Sequence, residues 1–169
     1  MKVSIGRFPK GVNKERKIKV QIDPWDTWSM DHTLALIIHP MLIQLRNTKN
    51  SAGSVNDEDV PEGLRSTSAL PKKEEWETDS NFFKRWDWVL DEMIWAFAQI
   101  LDDEIEYSFH TGKHDTIWEP TEINGNAVYE MKKGPNDTHV FDKEGWEKWN
   151  ARKQNGFRLF GKYYQALWD

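Results

Sequence analysis

Residues Phe82–Leu101, FFKRWDWVLDEMIWAFAQIL, carry the strongest helical pattern in the chain. Its apolar side chains recur at intervals of three and four, the spacing that places them on one face of an α-helix. Trp88 and Trp95 lie off this face, so we expect the helix to be buried on more than one side. Asp79 or Ser80 is predicted to cap its first turn. The main apolar face consists of Phe82, Phe83, Trp86, Val89, Leu90, Met93, Ile94, Phe97, Ile100 and Leu101.

Two further helices are predicted on either side of this one. The first runs from about Trp28 to Leu45, with Asp26 or Thr27 as its cap, and Pro40 should kink or break it because proline removes a backbone donor. Asp142 is predicted to cap the last helix, which carries aromatic residues at helical spacing. Gly156 and Gly161 weaken this helix by about 1 kcal/mol each relative to alanine. Close approach of another backbone would explain them.

Short β-hairpins are predicted in two places. Valine and isoleucine alternate with polar residues in residues 1–22, which indicates two strands joined by a basic loop. Between residues 105 and 141, the Asn124-Gly125-Asn126 turn is flanked by β-prone segments and favours a second hairpin. The fold class is therefore α+β, predominantly helical with three long helices, in one domain over residues 1–169. The long polar connection 47–79 is expected to be either functional or mobile.

Composition and charge exclude several classes of protein. The chain has no cysteine, which rules out disulfides, cysteine-ligated zinc and a thiol nucleophile. No apolar run approaches the ~20 residues of a membrane span, and no secretory signal is visible, so we expect a cytoplasmic protein without a membrane partner. Residues 1–22 contain seven basic residues and one acidic residue, while the remainder contains 16 basic and 27 acidic residues. The acidic body disfavours binding of bulk nucleic acid.

Three segments carry a family resemblance. They are DPWDTWSMD at residues 23–31, WDWVLDEMIW at residues 86–95 and NGFRLFGKYY at residues 155–164. Together they resemble a family of uncharacterised proteins encoded by tailed bacteriophages. The resemblance implies a viral protein acting in the cytoplasm of an infected bacterial host. It implies no activity, so no catalytic residue is transferred.

Aromatic and basic residues are the candidate binding residues. Ten tryptophans exceed what the core of a domain this size needs, and two or three are expected at a ligand or partner surface. Trp88, Trp95, Trp149 and Tyr163 lie off the main stripes of their helices, and we expect them to support a twofold homodimer. A purely aromatic core is the alternative. The basic residues that can hold a phosphate on the first hairpin are Arg7, Lys10, Lys14 and Arg16. A solvated hairpin tip explains these basic residues equally well.

A metal site is the main catalytic alternative. His110, His114 and Asp115 are ligand types that suit zinc, manganese or iron. Gly112 favours a loop over a helix at this point, and a solvated polar loop is the favoured interpretation, so we expect no cofactor. Asp87 and Asp91, one helical turn apart, are additional carboxylates for such a site, but a solvated acidic stripe is the favoured interpretation of them. The sequence lacks the glycine-rich nucleotide loops and the Gly-x-Ser-x-Gly elbow.

These observations favour a non-enzymatic phage accessory protein that binds and neutralises a host component. The component is expected to be a host protein or a nucleotide-like signalling molecule. A small metal-dependent phosphoesterase is the first alternative, and a minor virion component is the second.

Overall fold

The computed structural model describes residues 1–6 and 15–169, and three long helices dominate it. They are α1 (Met30–Thr48), α2 (Phe82–Ile100) and α3 (Lys143–Lys162). Six short strands pair as three antiparallel ribbons in the described part of the chain, which confirms the predominantly helical α+β class. The strands are β1 (Lys2–Ile5), β2 (Ile18–Gln21), β3 (His110–Thr111), β4 (Thr116–Ile123), β5 (Asn126–Lys133) and β6 (Val140–Phe141); the pairs are β1–β2, β3–β6 and β4–β5.

Helix α2 is the central element of the core. It packs against α1 on one side and α3 on the other, as its two-sided apolar pattern predicts. Trp86, Val89, Leu90 and Met93 are essentially removed from solvent. Burial of this much apolar surface is the main favourable contribution to folding.

The approach of α3 to α2 explains Gly156, one of the two α3 glycines singled out from the sequence. A Cβ built on Gly156 would lie 2.4 Å from the Cβ of Ala96 and 2.7 Å from the Glu92 carbonyl oxygen. Only glycine fits at this crossing. Gly161 faces open space, so close packing does not account for it.

The ends of the helices differ in part from expectation. Asp142 caps α3 by accepting the Gly145 N–H at 2.9 Å, as predicted. The caps predicted for α1 and α2 are wrong, because Ser29 and Asn81 occupy those positions and neither side chain makes a capping bond. Asp26 instead accepts the backbone N–H of Asp23 and stabilises a 3₁₀ turn, Pro24–Thr27, before α1.

Two other predicted features concern α1 and the polar connection. The chain remains helical through Pro40, so proline does not break α1; the kink remains a prediction. Residues 47–79 contain three short 3₁₀ turns, and Val55 and Val60 enter the hydrophobic core. The connection is therefore anchored to the helices by apolar side chains.

Asp59 provides the polar anchor of the same connection. Its buried carboxylate accepts the Tyr163 hydroxyl at 2.5 Å and pairs with Arg158 and Lys162, each at 2.6 Å. Burial opposes ionisation of Asp59, but hydrogen bonds from Lys162, Tyr163 and Arg158 outweigh it and hold the pKa below its ordinary value. The carboxylate thus fixes the connection to the end of α3.

Candidate interaction surfaces

The aromatic residues singled out from the sequence lie at the helix contacts. Trp149 and Tyr163 are buried, so the expectation that they are exposed is wrong. Their polar atoms have partners within the chain, since the Trp149 indole N–H donates to Gln99 at 2.7 Å and Tyr163 donates to Asp59. Both residues are buried because α3 packs on α2 and brings them into the contact between the helices.

Trp88 and Trp95 on α2 are partly buried. Trp88 packs against the core, and the Arg152 guanidinium lies 4.0 Å from the centre of the Trp95 ring. Arg152 also makes two hydrogen bonds to Glu92, at 2.7 and 3.0 Å, and so links α3 to α2. Neither indole is available as a fully exposed platform. The role of these two residues in dimerisation stays a prediction.

The exposed indoles are different residues. Trp25 and Trp28 are 77% and 83% exposed, and their ring centroids lie 6.1 Å apart with the planes tilted by 46°. The surplus of tryptophan inferred from composition is therefore real, although its location differs from the prediction. The other strongly exposed indoles are Trp76, Trp118 and Trp168.

The ribbon β1–β2 directly precedes Trp25 and carries an apolar face. Val3 pairs with Val20, and Ile18 lies two residues along the same strand, so the three side chains share one face. All three are exposed, and Ile22 continues the series beyond the strand. Lys2 and Lys19 project from the opposite face. We call Val3, Ile18, Val20, Ile22, Trp25 and Trp28 the N-terminal apolar surface.

The basic residues proposed as phosphate ligands are only partly described. Arg7, Lys10 and Lys14 lie outside the described residues. Arg16 is partly buried, and its Nε donates to the Gly6 carbonyl at 2.8 Å beside the backbone bond from Gly6 to Lys17. Arg16 therefore stabilises the end of the β1–β2 ribbon.

A second ribbon, β4–β5, is exposed on both faces. Asn124 and Gly125 form its two-residue turn with φ values of 52° and 79°, the left-handed conformation that the Asn-Gly sequence predicts. Trp118 pairs with Met131, and Pro120 pairs with Tyr129 on the same face. Hydrophobic side chains on a ribbon without a covering layer are a second candidate contact surface.

Three histidines, rather than the predicted two, gather beside the β3–β6 pair. His110 Nδ1 lies 2.8 Å from His139 Nε2, and the His114 ring stacks on His139 with centroids 3.8 Å apart. His139 lies 29 residues after His110, and no local spacing in the sequence connects them. Burial lowers the pKa of His139, and the neighbouring His114 and His110 lower it further. The neutral form of the His139 imidazole is therefore favoured in the cluster.

The geometry of this cluster does not form a metal centre. His110 Nδ1 and His139 Nε2 share a hydrogen bond, and the His114 ring stacks on the His139 ring, whereas metal ligands must direct their lone pairs at one common point. Across residues 1–6 and 15–169, no group of three His, Asp or Glu side chains is arranged to hold a metal ion. Asp115 accepts the backbone N–H of Asn136 at 2.9 Å and so holds the loop after β5. The phosphoesterase reading receives no support from this arrangement.

The acidic pair on α2 is also engaged within the fold. Asp91 accepts the Arg46 Nε at 2.8 Å, and Asp87 lies 2.6 Å from the Lys49 ammonium. Both carboxylates therefore connect α2 to α1. Their pairing with two cations leaves them poorly placed for a divalent metal.

A cleft of about 670 Å³ lies between the start of α1, the end of α2 and α3. The Lys153 ammonium forms part of its lining and lies 3.8 Å from the centre of the Trp149 ring. Desolvation lowers the pKa of Lys153, and the opposing effect of Glu106, 4.0 Å away, is smaller. The remaining charged lining is mainly carboxylate: Asp31, Asp102, Asp103 and Glu106. Carboxylates therefore surround one lysine in this cleft.

Comparisons with protein-family models, curated proteins and solved structures give no match. In the described part of the chain, no helix combines the length and the apolar character needed to cross a bilayer.

Proposed function

We propose that this protein is a non-enzymatic binding protein that captures and neutralises a host protein through the N-terminal apolar surface. The observation that carries the proposal is the exposed apolar face of β1–β2, which continues into Trp25 and Trp28. Together with the resemblance to tailed-phage proteins, it favours a partner in the cytoplasm of the infected bacterium.

The shape and chemistry of this surface favour a protein over a nucleotide-like ligand. Aliphatic side chains along a ribbon match a complementary apolar patch, and aromatic residues beside them are the side chains that dominate protein interfaces. The Trp25 and Trp28 rings are tilted by 46°, so they do not form a parallel slot for a planar base.

Two lysines on the opposite face of the ribbon favour association with an acidic partner. Lys2 and Lys19 are exposed there, away from the apolar contact. Such rim charges accelerate encounter with an acidic partner without having to be desolvated. We therefore expect association to slow as ionic strength rises.

Matched substitutions on the two faces of one strand test this function. The variants are Ile18→Ser/Val20→Ser on the apolar face and Lys19→Ser on the opposite face. Burying one such aliphatic side chain contributes about 1.5–3 kcal/mol, so the double variant should bind at least about tenfold more weakly. Lys19→Ser should slow association without speeding dissociation, so its affinity should fall by less than about threefold.

The measurement has two stages. The tagged protein is first used to recover its partner from infected cells, with mass spectrometry for proteins and small molecules. The partner is then purified, and its affinity for each variant is measured by calorimetry together with its own activity. Equal binding by the apolar-face variant and the wild-type chain would refute the proposal, and so would recovery of a nucleotide alone.

A further inference from the structure

The two faces of the ribbon β4–β5 differ in their side chains: one carries paired charges beside Ile117, Ile123 and Val128, and the other carries the aromatic rings. On one face, Lys132 lies 2.6 Å from Glu119 and 3.5 Å from Glu130, so the charges there are satisfied within the ribbon. The other face contains Trp118, Tyr129 and Met131, which are 61%, 72% and 64% exposed. We call this second side the aromatic face of the ribbon.

The aromatic face needs a covering layer. An isolated two-stranded hairpin is marginally stable in water, and a sheet ordinarily buries its apolar face against another element. The described helices do not supply that layer, because every residue of β4 is exposed and only Val128 of β5 is partly buried.

The order of side chains along the aromatic face is self-complementary. Strand pairing divides it into four levels from base to tip: Thr116 with Lys133, Trp118 with Met131, Pro120 with Tyr129, and Glu122 with Ala127. When a second, reversed ribbon lies over the first, the first level of one ribbon faces the fourth level of the other. The second level likewise faces the third. A basic end then meets an acidic end, and the apolar levels meet each other.

We propose that a second copy of this chain covers the aromatic face, with the two ribbons packed face to face across a twofold axis that reverses their direction. In this arrangement Trp118 packs on Pro120 of the second copy, and Met131 packs on Tyr129. Sulfur–aromatic contacts of this kind are favourable. Each contact occurs twice, as a closed isologous interface requires.

Charge complementarity fixes the direction of packing. Glu122 at the tip of one ribbon reaches the level of Lys133 at the base of the other, once at each end of the interface. Lys133 lies 3.6 Å from Asp137 of its own chain, but its side chain is largely exposed and its ammonium has three donors. A same-direction packing would instead set like charges at the same level, which is unfavourable.

The small area of the face sets the expected strength of the dimer. A large aromatic side chain buries roughly 150–250 Å² when fully covered, and each copy contributes two such rings that are already partly covered. Four such rings in the two copies contribute at most roughly 600–1,000 Å², which lies below the roughly 1,200 Å² at which standard specific interfaces begin. We expect a dissociation constant in the micromolar range.

A charge-swap series on the full chain tests the proposal by sedimentation equilibrium. Glu122→Lys and Lys133→Glu each replace two attractions with two repulsions, and each should weaken the dimer by about tenfold or more. The double variant Glu122→Lys/Lys133→Glu restores both attractions and should return the dissociation constant to within about threefold of wild type.

A second pair of variants tests the aromatic contact. Trp118→Ala should shift the protein to monomer at concentrations where wild type is dimeric, whereas Thr121→Ala, on the opposite face of the same strand, should not. Ile18→Ser/Val20→Ser should leave the dimer intact, which separates this interface from the N-terminal apolar surface. A monomeric wild-type chain at ~200 µM would overturn the proposal. A double swap that fails to recover the dimer, or a Trp118→Ala chain that dimerises normally, would overturn it as well.

Discussion

The carboxylate of Asp59 joins the polar connection 47–79 to the end of α3. One buried carboxylate holds Tyr163, Arg158 and Lys162, and these groups lie about 100 positions away in the sequence. Removing one member of a buried polar network leaves the other groups buried without a partner. The resulting loss in the free energy of unfolding exceeds the net contribution of the intact network.

Substitution of Asp59 by asparagine should destabilise the protein by about 2–3 kcal/mol at pH 7, measured by urea unfolding. The wild-type pKa is depressed, so the contribution of the carboxylate is present above its unfolded pKa of ~3.9 and is lost as pH falls through the lower folded value. The difference between wild type and variant should therefore shrink below about pH 4. Glu58→Gln, an exposed neighbour that also contacts Lys162, should change stability by less than about 1 kcal/mol. A difference that stays constant down to about pH 2 would contradict this account.

The close approach of α2 and α3 depends on the absence of a Cβ atom at Gly156. Gly156 brings the two helices together next to Ala96, whereas Gly161 lies one and a half turns further along α3 and faces open space. The two positions thus form a matched pair on one helix.

Alanine substitution at these two positions should change the free energy of unfolding in opposite directions. Gly156→Ala forces its Cβ against the Glu92 carbonyl and should lower the free energy of unfolding by about 1–3 kcal/mol. Gly161→Ala should raise it by up to about 1 kcal/mol, because alanine is the better helix former. Chemical denaturation of both variants gives the comparison. Two changes of the same sign would mean that helix propensity, and not packing, governs both sites.

Elements with a strong local signal were predictable from sequence. The periodicity of Phe82–Leu101 and the Asn124-Gly125 turn each encode a local conformation, and the structure reproduces both. Which tryptophans are exposed could not be predicted, because Trp149 is covered only once α3 has docked on α2. The addition of His139 to the histidine cluster likewise depends on the β3–β6 pairing, which has no local signature.

For the molecule as a whole, tryptophan has two separate roles. Trp86 is 1% exposed and makes an edge contact with Tyr163 in the core, whereas Trp76 is 82% exposed. The same side chain therefore contributes to stability at one position and to the surface at another.

Alanine substitution should separate these roles in thermal or urea unfolding. Trp86→Ala should cost about 3–5 kcal/mol, since it removes a large buried side chain and leaves a cavity. Trp76→Ala should change stability by no more than about 0.5 kcal/mol. Comparable losses from both variants would mean that Trp76 is covered in solution.

The link between Asp59 and Tyr163 also has a kinetic consequence. The hydroxyl that satisfies the buried carboxylate comes from a residue 104 positions later, and Leu159 from the same helix completes the core. Contacts of such long sequence separation form late and slow the folding of a chain. During synthesis on the ribosome, α1 and α2 therefore emerge with an unfinished apolar face, and the chain can close its core only after residue 163 has left the exit tunnel. Until then the nascent protein presents the hydrophobic surface that chaperones recognise.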